Sequence, residues 1–381
     1  MATIPYLPFA RPTLDEDTIN GVTEVLRSGW ITTGPQVKQF EAALCTYLGD
    51  RPVRVLNSAT AALEVALQLC GIGPGDEVIT PAQTFFAAPN MIAKVGARPI
   101  FVDVELISRN LDFNAVERAI TPRTKAIMPT HFGGLPVDMD RLYKIAGKYG
   151  LRVIEDAALA MGSSWRGRRI GSFGDLIVFS FHPNKNMTTI EGGALVINDE
   201  AEALEVEKLR FHGITRLPDG TRDVVFPGGK FNLPDVNARI GLGQLAQLEE
   251  FNSRRREWVA DYFQLLQTDP PCLLPHPGYP GDASGHSWNL FAPLLPLDQL
   301  RIDRSQFRAA LESRGIGTGI SYEAAHLTTL FRSDGHSEGE LPNTERIARE
   351  TVTLPLFPTM TRADVERVCV AVDEVLTEAK C

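Results

Sequence analysis

The sequence lacks the marks of several common protein classes. Its five cysteines are scattered without a Cys-x-x-Cys pair, which predicts neither a zinc site nor a disulfide framework. The sequence has 38 basic and 47 acidic side chains. Its net charge of −9 does not favour binding to nucleic acid or to an anionic membrane. Neither a membrane-spanning apolar run nor a signal-peptide pattern is present. We therefore expect a cytoplasmic protein without a metal, which holds any anionic ligand in a local site.

Several catalytic motifs are also missing from the sequence. It contains no Walker lysine loop, no H-E-x-x-H and no G-x-S-x-G segment. Two glycine-rich segments, 71–75 and 315–319, each follow a predicted helix rather than a strand, so we interpret them as turns and not as dinucleotide fingerprints. With 381 residues, 44% hydrophobic and 22% charged, the composition is typical of a soluble globular protein large enough for two domains.

From residue 53 onward, short apolar segments typical of buried strands alternate with helical patterns. The strand-like segments are residues 53–56, 77–80, 98–104, 125–129, 151–154, 176–179 and 193–197. This alternation predicts an α/β fold in which a mostly parallel mixed sheet is flanked by helices. Ligands of such sheets bind beyond the carboxyl ends of the strands.

The remainder of the chain predicts a second, smaller unit. We divide the chain into a large domain, 1–250, with an N-terminal helical segment, and a C-terminal α+β domain, 251–381. The second half is predicted to contain a loop over 217–229, a helix over 235–266, strands over 288–295 and 317–321, and helices over 305–314 and 362–378. The basic cluster 254–256 is interpreted as a solvated helix face.

Three predicted strands end in residues that are unusual at such positions. Ser58 opens a helix whose free N–H groups are suited to a phosphate, although a serine there is more commonly an N-cap. Phe85 follows the second strand and is placed to cover a flat ring, or else to pack in the core. Glu155 and Asp156 end another strand, where one carboxylate is placed to pair with a cation; otherwise they are a cap or solvated acids.

Lys185 lies in a polar insert, 180–193, between two apolar strands. An ammonium group flanked by a sheet must be paired, or its pKa must fall until it is neutral, and a neutral amine is what a carbonyl-condensing nucleophile requires. The alternative is an ordinary surface lysine. Pyridoxal 5'-phosphate requires a binding site of this kind. The sequence offers it a phosphate-binding helix start, an aromatic side chain that covers the ring, an acid and this lysine.

Six short motifs in this order resemble the sugar-nucleotide aminotransferases of the DegT type, over nearly the whole chain. They are Trp30-Ile31-Thr32-Thr33-Gly34-Pro35, Ser58-Ala59-Thr60-Ala61, Glu155-Asp156-Ala157-Ala158, Ser180-Phe181-His182, Lys185-Asn186 and Glu191-Gly192-Gly193. The resemblance implies fold type I of pyridoxal phosphate enzymes. Later segments, among them Lys230-Phe231-Asn232-Leu233, His286-Ser287-Trp288 and Ala324-Ala325-His326, are similar to the subgroup that makes UDP-4-amino-4-deoxy-L-arabinose for lipopolysaccharide.

The resemblance implies a role for each matching position. Lys185 would form the Schiff base and shuttle the proton, Asp156 would face the pyridine nitrogen, and Phe85 would stack on the ring. The phosphate would be held by Thr60, Ala61 and Ser180, with Lys230 reaching in from the second subunit of a homodimer.

The resemblance also implies an amino transfer, from glutamate to a nucleotide-linked keto sugar. His326 would lie near the sugar nucleotide, unless it is a capped or core histidine. Relatives place Gln or His where this chain has Leu159, which cannot hydrogen-bond the cofactor's ring oxygen. That departure either alters the cofactor's environment, or another group supplies the contact.

Two other functions are compatible with the same fold. One is a sugar dehydratase, although those relatives replace the lysine with histidine. The other is a catalytically silent relative that binds sugar nucleotides.

Overall fold

The computed structural model describes residues 5–279, 281–282 and 285–381. The first four residues, which belong to the segment searched for a signal peptide, lie outside these ranges. Among the described residues, none of the helices is both long and apolar enough to cross a bilayer.

The strands agree closely with the apolar segments of the sequence. They are β1 Val53–Leu56, β2 Glu77–Pro81, β3 Arg98–Val102, β4 Thr124–Ile127, β5 Arg152–Asp156, β6 Ser164–Trp165, β7 Arg168–Arg169, β8 Leu176–Ser180, β9 Gly193–Val196, β10 Ile214–Arg216 and β11 Arg222–Val224. Seven of them form one sheet in the order β1-β9-β8-β5-β4-β2-β3. The β2–β3, β2–β4, β4–β5 and β5–β8 pairs are parallel, whereas β9 runs antiparallel to β1 and β8. The predicted α/β fold with a mostly parallel sheet is therefore confirmed.

The helices connect these strands and cover both faces of the sheet. They are α1 Glu16–Ser28, α2 Pro35–Tyr47, α3 Ala59–Leu69, α4 Ala87–Lys94, α5 Phe113–Ala119, α6 Met139–Tyr149, α7 Glu200–Leu209, α8 Asp235–Leu265, α9 Arg304–Ser313, α10 Thr329–Arg332, α11 Pro342–Glu350 and α12 Arg362–Ala379. Several begin at an N-cap whose side chain accepts a backbone N–H, including Asp15, Ser58, Asp138 and Thr361.

Alternating side chains of the central strands enter two different cores. In β5 and β8, Val153 and Ile177 belong to the core that contains α2 and α6. Ile154 and Val178 belong to the core formed with α3 and α4. Since side chains alternate with a period of two, Asp156 and Ser180 point to the α3 side, and Glu155 points to the other.

The 31-residue helix α8 spans the proposed domain boundary at 250/251. Its first part contributes Ala238 and Leu248 to the core beneath the sheet. Its last part contributes Val259 and Tyr262 to a separate C-terminal core with α9 and α12. The division into two domains remains a prediction, with one helix shared between the two cores.

Three local predictions are wrong. The segments 288–295 and 317–321 are not strands but form isolated bridges, such as Phe291 with Leu354 and Gly319 with Thr353. Pro293 interrupts the first segment and has no N–H for a ladder, so its apolar run reflects burial alone. The predicted loop 217–229 contains β11, which pairs with β10 in a hairpin.

Candidate active site

A cavity of about 380 Å³ lies at the carboxyl ends of β2, β4, β5 and β8, on the α3 side of the sheet. Its volume is within the range of about 300–1,000 Å³ that is usual for ligand pockets. Five of the predicted site residues line it, namely Thr60, Phe85, Asp156, Ser180 and Lys185, together with Leu159. Parallel strands bring their carboxyl ends to one edge, which is why residues distant in sequence meet here.

Asp156 is the last residue of β5 and only 4% exposed. Burial raises the pKa of its carboxyl group, while the Ala158 N–H, which donates to Oδ1 at 3.1 Å, and the positive charge of Lys185 act in the opposite direction. The sequence left open a solvated acid at this position, and the structure excludes that alternative. A buried carboxylate of this kind is suited to a cationic ligand group.

Lys185 lies in the loop between β8 and β9, and its side chain borders the same cavity as Asp156. Burial lowers the pKa of Lys185 from 10.5 to about 8, and the charge of Asp156 limits the decrease. Near neutral pH roughly a tenth of this amine is therefore neutral, compared with about one part in three thousand at a pKa of 10.5. The interpretation of Lys185 as an ordinary surface lysine does not fit this environment.

Arg255 of α8 lies behind the lysine loop. It is 5% exposed, and its guanidinium donates to the backbone carbonyls of Asn186 at 3.3 Å and Lys185 at 3.4 Å. Burial lowers the pKa of Arg255 to about 9, and within the described ranges no carboxylate forms an ion pair with it. The prediction that residues 254–256 form a solvated face is therefore wrong for Arg255, because the period of one helix does not reveal what packs against it.

The opening turn of α3 borders the cavity through Thr60. Ser58 is the N-cap, and its Oγ accepts the Ala61 N–H at 3.1 Å, which agrees with the common use of serine at this position. Ala61 is not among the lining residues, and its N–H already has this partner. A Cβ on Gly193 would lie 2.4 Å from the Ala59 nitrogen, so β9 packs directly against this turn only because Gly193 has no side chain.

Phe85 is 54% exposed and borders the cavity mouth, rather than lying in the core. Tyr322, which the sequence did not single out, faces it with ring centroids 5.9 Å apart and contacts Phe132 at 6.0 Å. Burial raises the pKa of Tyr322, and the charge of Asp156 adds to the increase. No sequence pattern marks Tyr322, since it reaches the cavity from a segment far along the chain.

Glu155, next to Asp156, points away from the cavity and is fully buried. Its carboxylate accepts the Tyr143 O–H at 2.6 Å and the His131 Nε2–H at 2.9 Å. The tautomer of His131 follows from its other nitrogen, because Nδ1 accepts the Val137 N–H at 3.1 Å. Glu155 therefore belongs to a buried network behind β5.

Besides Ala61, two other predicted site residues do not line this cavity. Lys230 lies with its ammonium group 4.9 Å from the centroid of Phe211 and next to the Asn232 amide. His326 is fully buried, with Nε2 3.2 Å from Glu345 and its ring 6.3 Å from Phe101. The packing of His326 corresponds to the core histidine that the sequence left as an alternative, whereas the role expected of Lys230 concerns a second subunit.

The lining residues fit pyridoxal phosphate. The cavity brings a buried carboxylate, a lysine of lowered pKa, a hydroxyl-bearing helix start and an exposed aromatic ring to one place. Among the described residues, no group of three or more His, Cys, Asp or Glu side chains is arranged to hold a metal ion.

Comparison with known proteins identifies the family. Residues 12–373 match the model of the DegT/DnrJ/EryC1/StrS aminotransferase family. The Streptococcus pneumoniae protein Spr1654, named as a sugar aminotransferase and solved in PMP and PLP forms, is 31% identical, with 98% of both chains covered and a TM-score of 0.92 in the PMP form. S. venezuelae DesV is 35% identical (TM-score 0.88, 97% and 98% covered). Helicobacter pylori PseC, an aminotransferase of pseudoaminic acid biosynthesis, is 28% identical (TM-score 0.91, 98% and 100% covered). The chain belongs to the DegT/DnrJ/EryC1/StrS aminotransferase family and is a pyridoxal-phosphate-dependent sugar aminotransferase.

Proposed function

We propose that this enzyme transfers the amino group of glutamate to the keto group of a nucleotide-linked sugar, a UDP-linked 4-keto pentose or hexose. The observation that carries the proposal is that Lys185 and Asp156 line one cavity, with a lysine pKa of about 8. The UDP sugar and the 4-position rest on the similarity of the later segments, such as His286-Ser287-Trp288, to the subgroup that makes UDP-4-amino-4-deoxy-L-arabinose.

Each lining residue has a defined task in this proposal. The bound cofactor supplies an electron sink for the pair released when the substrate carbon loses its proton. Asp156 keeps the ring nitrogen protonated through its negative charge, and Lys185 binds the cofactor aldehyde. Thr60 and Ser180, which border the cavity at the start of α3 and the end of β8, anchor the phosphate. Phe85 covers the ring from the cavity mouth.

Lys185 also carries the proton between the two carbon atoms that exchange it. A general base works best when its pKa lies near the working pH, because both protonation states are then populated. The value of about 8 meets this condition, whereas an exposed lysine does not. The carbonyls of Lys185 and Asn186 are held by Arg255, which fixes the backbone from which the amine extends.

The enzyme acts as a homodimer in this proposal, with Lys230 completing the phosphate site of the partner subunit. Exposed apolar side chains near the cavity support a partner surface. Phe85 is 54% exposed, and Ile190, next to the lining residue Glu191, is 52% exposed. Val224 on the hairpin is 62% exposed. Large exposed apolar side chains of this kind are common in protein interfaces.

The chemistry is tested with purified protein loaded with pyridoxal phosphate. We expect a visible absorption band that is lost in Lys185→Ala and retained in Lys38→Ala, a control at an exposed lysine. Glutamate should bleach the band of the wild-type protein. A wild type that stays colourless after loading, or a Lys185→Ala variant that keeps the band, contradicts the assignment of Lys185.

The substrate is tested with a panel of keto sugars linked to UDP or TDP. Each is incubated with the glutamate-treated enzyme, and the amino sugar is measured by mass spectrometry. We expect turnover of a UDP-linked 4-keto sugar and little turnover of the TDP-linked one. The opposite preference contradicts the nucleotide assignment but leaves the aminotransferase activity intact.

The shared site is tested by mixing subunits. A dimer of one Lys185→Ala chain and one Lys230→Ala chain has one complete site only if Lys230 acts in the partner subunit. We therefore expect the mixture to regain activity above that of either variant alone. If the mixture shows only the average of the two variants, Lys230 does not act across the interface.

A further inference from the structure

Two buried threonines lie side by side in the wall of the cavity. Thr84 follows β2 and Thr130 follows β4, and both line the cavity with exposures of 0% and 4%. Their Oγ1 atoms are 2.8 Å apart, which is the distance of a good O–H···O hydrogen bond. Neither residue was singled out by the sequence.

The two hydroxyls have one proton more than their mutual hydrogen bond uses. Each hydroxyl has a single proton, and the bond between them consumes one. In the part of the chain that the structure describes, the hydroxyl that accepts this bond has no acceptor for its own proton. A buried donor without an acceptor is costly, so the pair is arranged to donate one hydrogen bond into the cavity.

The strand order locates the hydroxyl pair relative to Asp156 and Ser180. Thr130 forms a parallel bridge with Asp156, so the two side chains lie at neighbouring strand ends on the same face. Ser180 lies on the other side of Asp156, because β5 is flanked by β8 and β4. The hydroxyl pair therefore stands beside the carboxylate on the side opposite the serine proposed to hold the phosphate.

Leu159 also lines this cavity and is 2% exposed. Its aliphatic side chain has no hydrogen-bond donor, so Leu159 cannot bond an oxygen of a ligand held in the cavity. A ring oxygen left without a donor in a buried site loses the stabilisation that water gave it. Leu159 therefore provides no donor for the ring oxygen, whereas the hydroxyl pair has a proton without an acceptor.

We propose that Thr130 donates the hydrogen bond to the ring oxygen of pyridoxal phosphate that Leu159 cannot supply, and that Thr84 positions Thr130 by donating to it. This inference rests on the proposed function, since it requires the cofactor to bind beside Asp156. Thr130 is then a cofactor-binding residue, and Thr84 a positioning residue.

The test compares the binding of two ligands to the apoenzyme. Pyridoxamine 5'-phosphate has the ring oxygen and forms no covalent bond with Lys185, and its 3-deoxy analogue lacks only that oxygen. We expect the wild type to prefer pyridoxamine phosphate by about tenfold to a hundredfold, as is usual for a hydrogen bond to a charged group. In Thr130→Val the preference should disappear because only pyridoxamine phosphate binds more weakly. In Thr84→Val it should decrease by less.

Two further variants keep the test decisive. Thr130→Ser retains the hydroxyl and should retain the preference, even if the valine variant fails to fold. Thr80→Val removes a buried hydroxyl on β2 that donates to the Met128 carbonyl. Thr80 does not line the cavity, so this change should leave the preference unchanged.

The proposal is overturned if the wild type binds both ligands equally, if Thr130→Val weakens both ligands equally, or if Thr130→Ser loses the preference. Failure of the cofactor site on which the proposed function rests has a different signature. In that case neither pyridoxamine phosphate nor its analogue binds to the wild type at all.

Discussion

The half-buried lysine of the active site is expected to destabilise the apoenzyme, and replacing Lys185 by methionine should reveal how much. The pKa of Lys185 is about 8 in the folded state, whereas an unperturbed lysine has a pKa of 10.5. At about 1.4 kcal/mol per pH unit, this difference corresponds to roughly 3 kcal/mol against the folded protein. The partial exposure of the lysine side chain reduces the effect, so we expect about 2–3 kcal/mol.

The sign of the pH dependence follows from proton binding. Between pH 8 and 10.5 the unfolded chain holds the lysine proton and the folded chain has released it, so stability increases as the pH rises through this window. Below pH 8 both states are protonated and the full cost is present. Lys185→Met keeps an unbranched apolar side chain and removes the charge, so it should stabilise the apoenzyme at neutral pH and lose that advantage at a pH of about 10.

Urea unfolding of the apoenzyme at the two pH values measures this effect. Lys38→Met at an exposed position serves as the matched control and should leave the free energy of unfolding nearly unchanged. A Lys185→Met variant that is no more stable than the wild type at neutral pH refutes the reasoning. So does a gain that is the same at both pH values, because it then comes from packing and not from the buried charge.

Three further substitutions test other parts of the structure. Asp235→Ala removes a buried carboxylate that accepts the N–H groups of Gly34, Gln36 and Val37, at 2.7–3.1 Å, and should lower the free energy of unfolding by about 2–4 kcal/mol in urea titrations. Gly193→Ala places a Cβ against the start of α3 and should cost about 1–3 kcal/mol, with weaker pyridoxal phosphate binding in fluorescence titrations. Arg255→Met should change stability by less than about 1 kcal/mol, because lost hydrogen bonds are offset by removal of an unpaired buried charge. The same variant should form the visible band more slowly in stopped-flow measurements, because the loop of Lys185 is less firmly held.

The order of strands and helices was accessible from the sequence because it depends on local patterns. Apolar runs such as 176–179 and N-caps such as Ser58 can be recognised from neighbouring residues alone. The placement of Asp156 and Lys185 in one cavity was also predictable, since the carboxyl ends of parallel strands share one edge of the sheet. The same local reasoning was wrong for 288–295, where burial produced an apolar run without a strand partner.

The sequence alone therefore determined the α/β fold, the strand ends that carry the chemistry, and the lysine and aspartate of the cavity. Tertiary structure decided which face of the sheet forms the cavity, so that Asp156 and not Glu155 enters it, and it buried Arg255 behind the lysine loop. It also brought Tyr322 to the cavity and set Thr84 against Thr130. These outcomes depend on what packs against each element from elsewhere in the chain, and neither the period of a strand nor that of a helix contains that information.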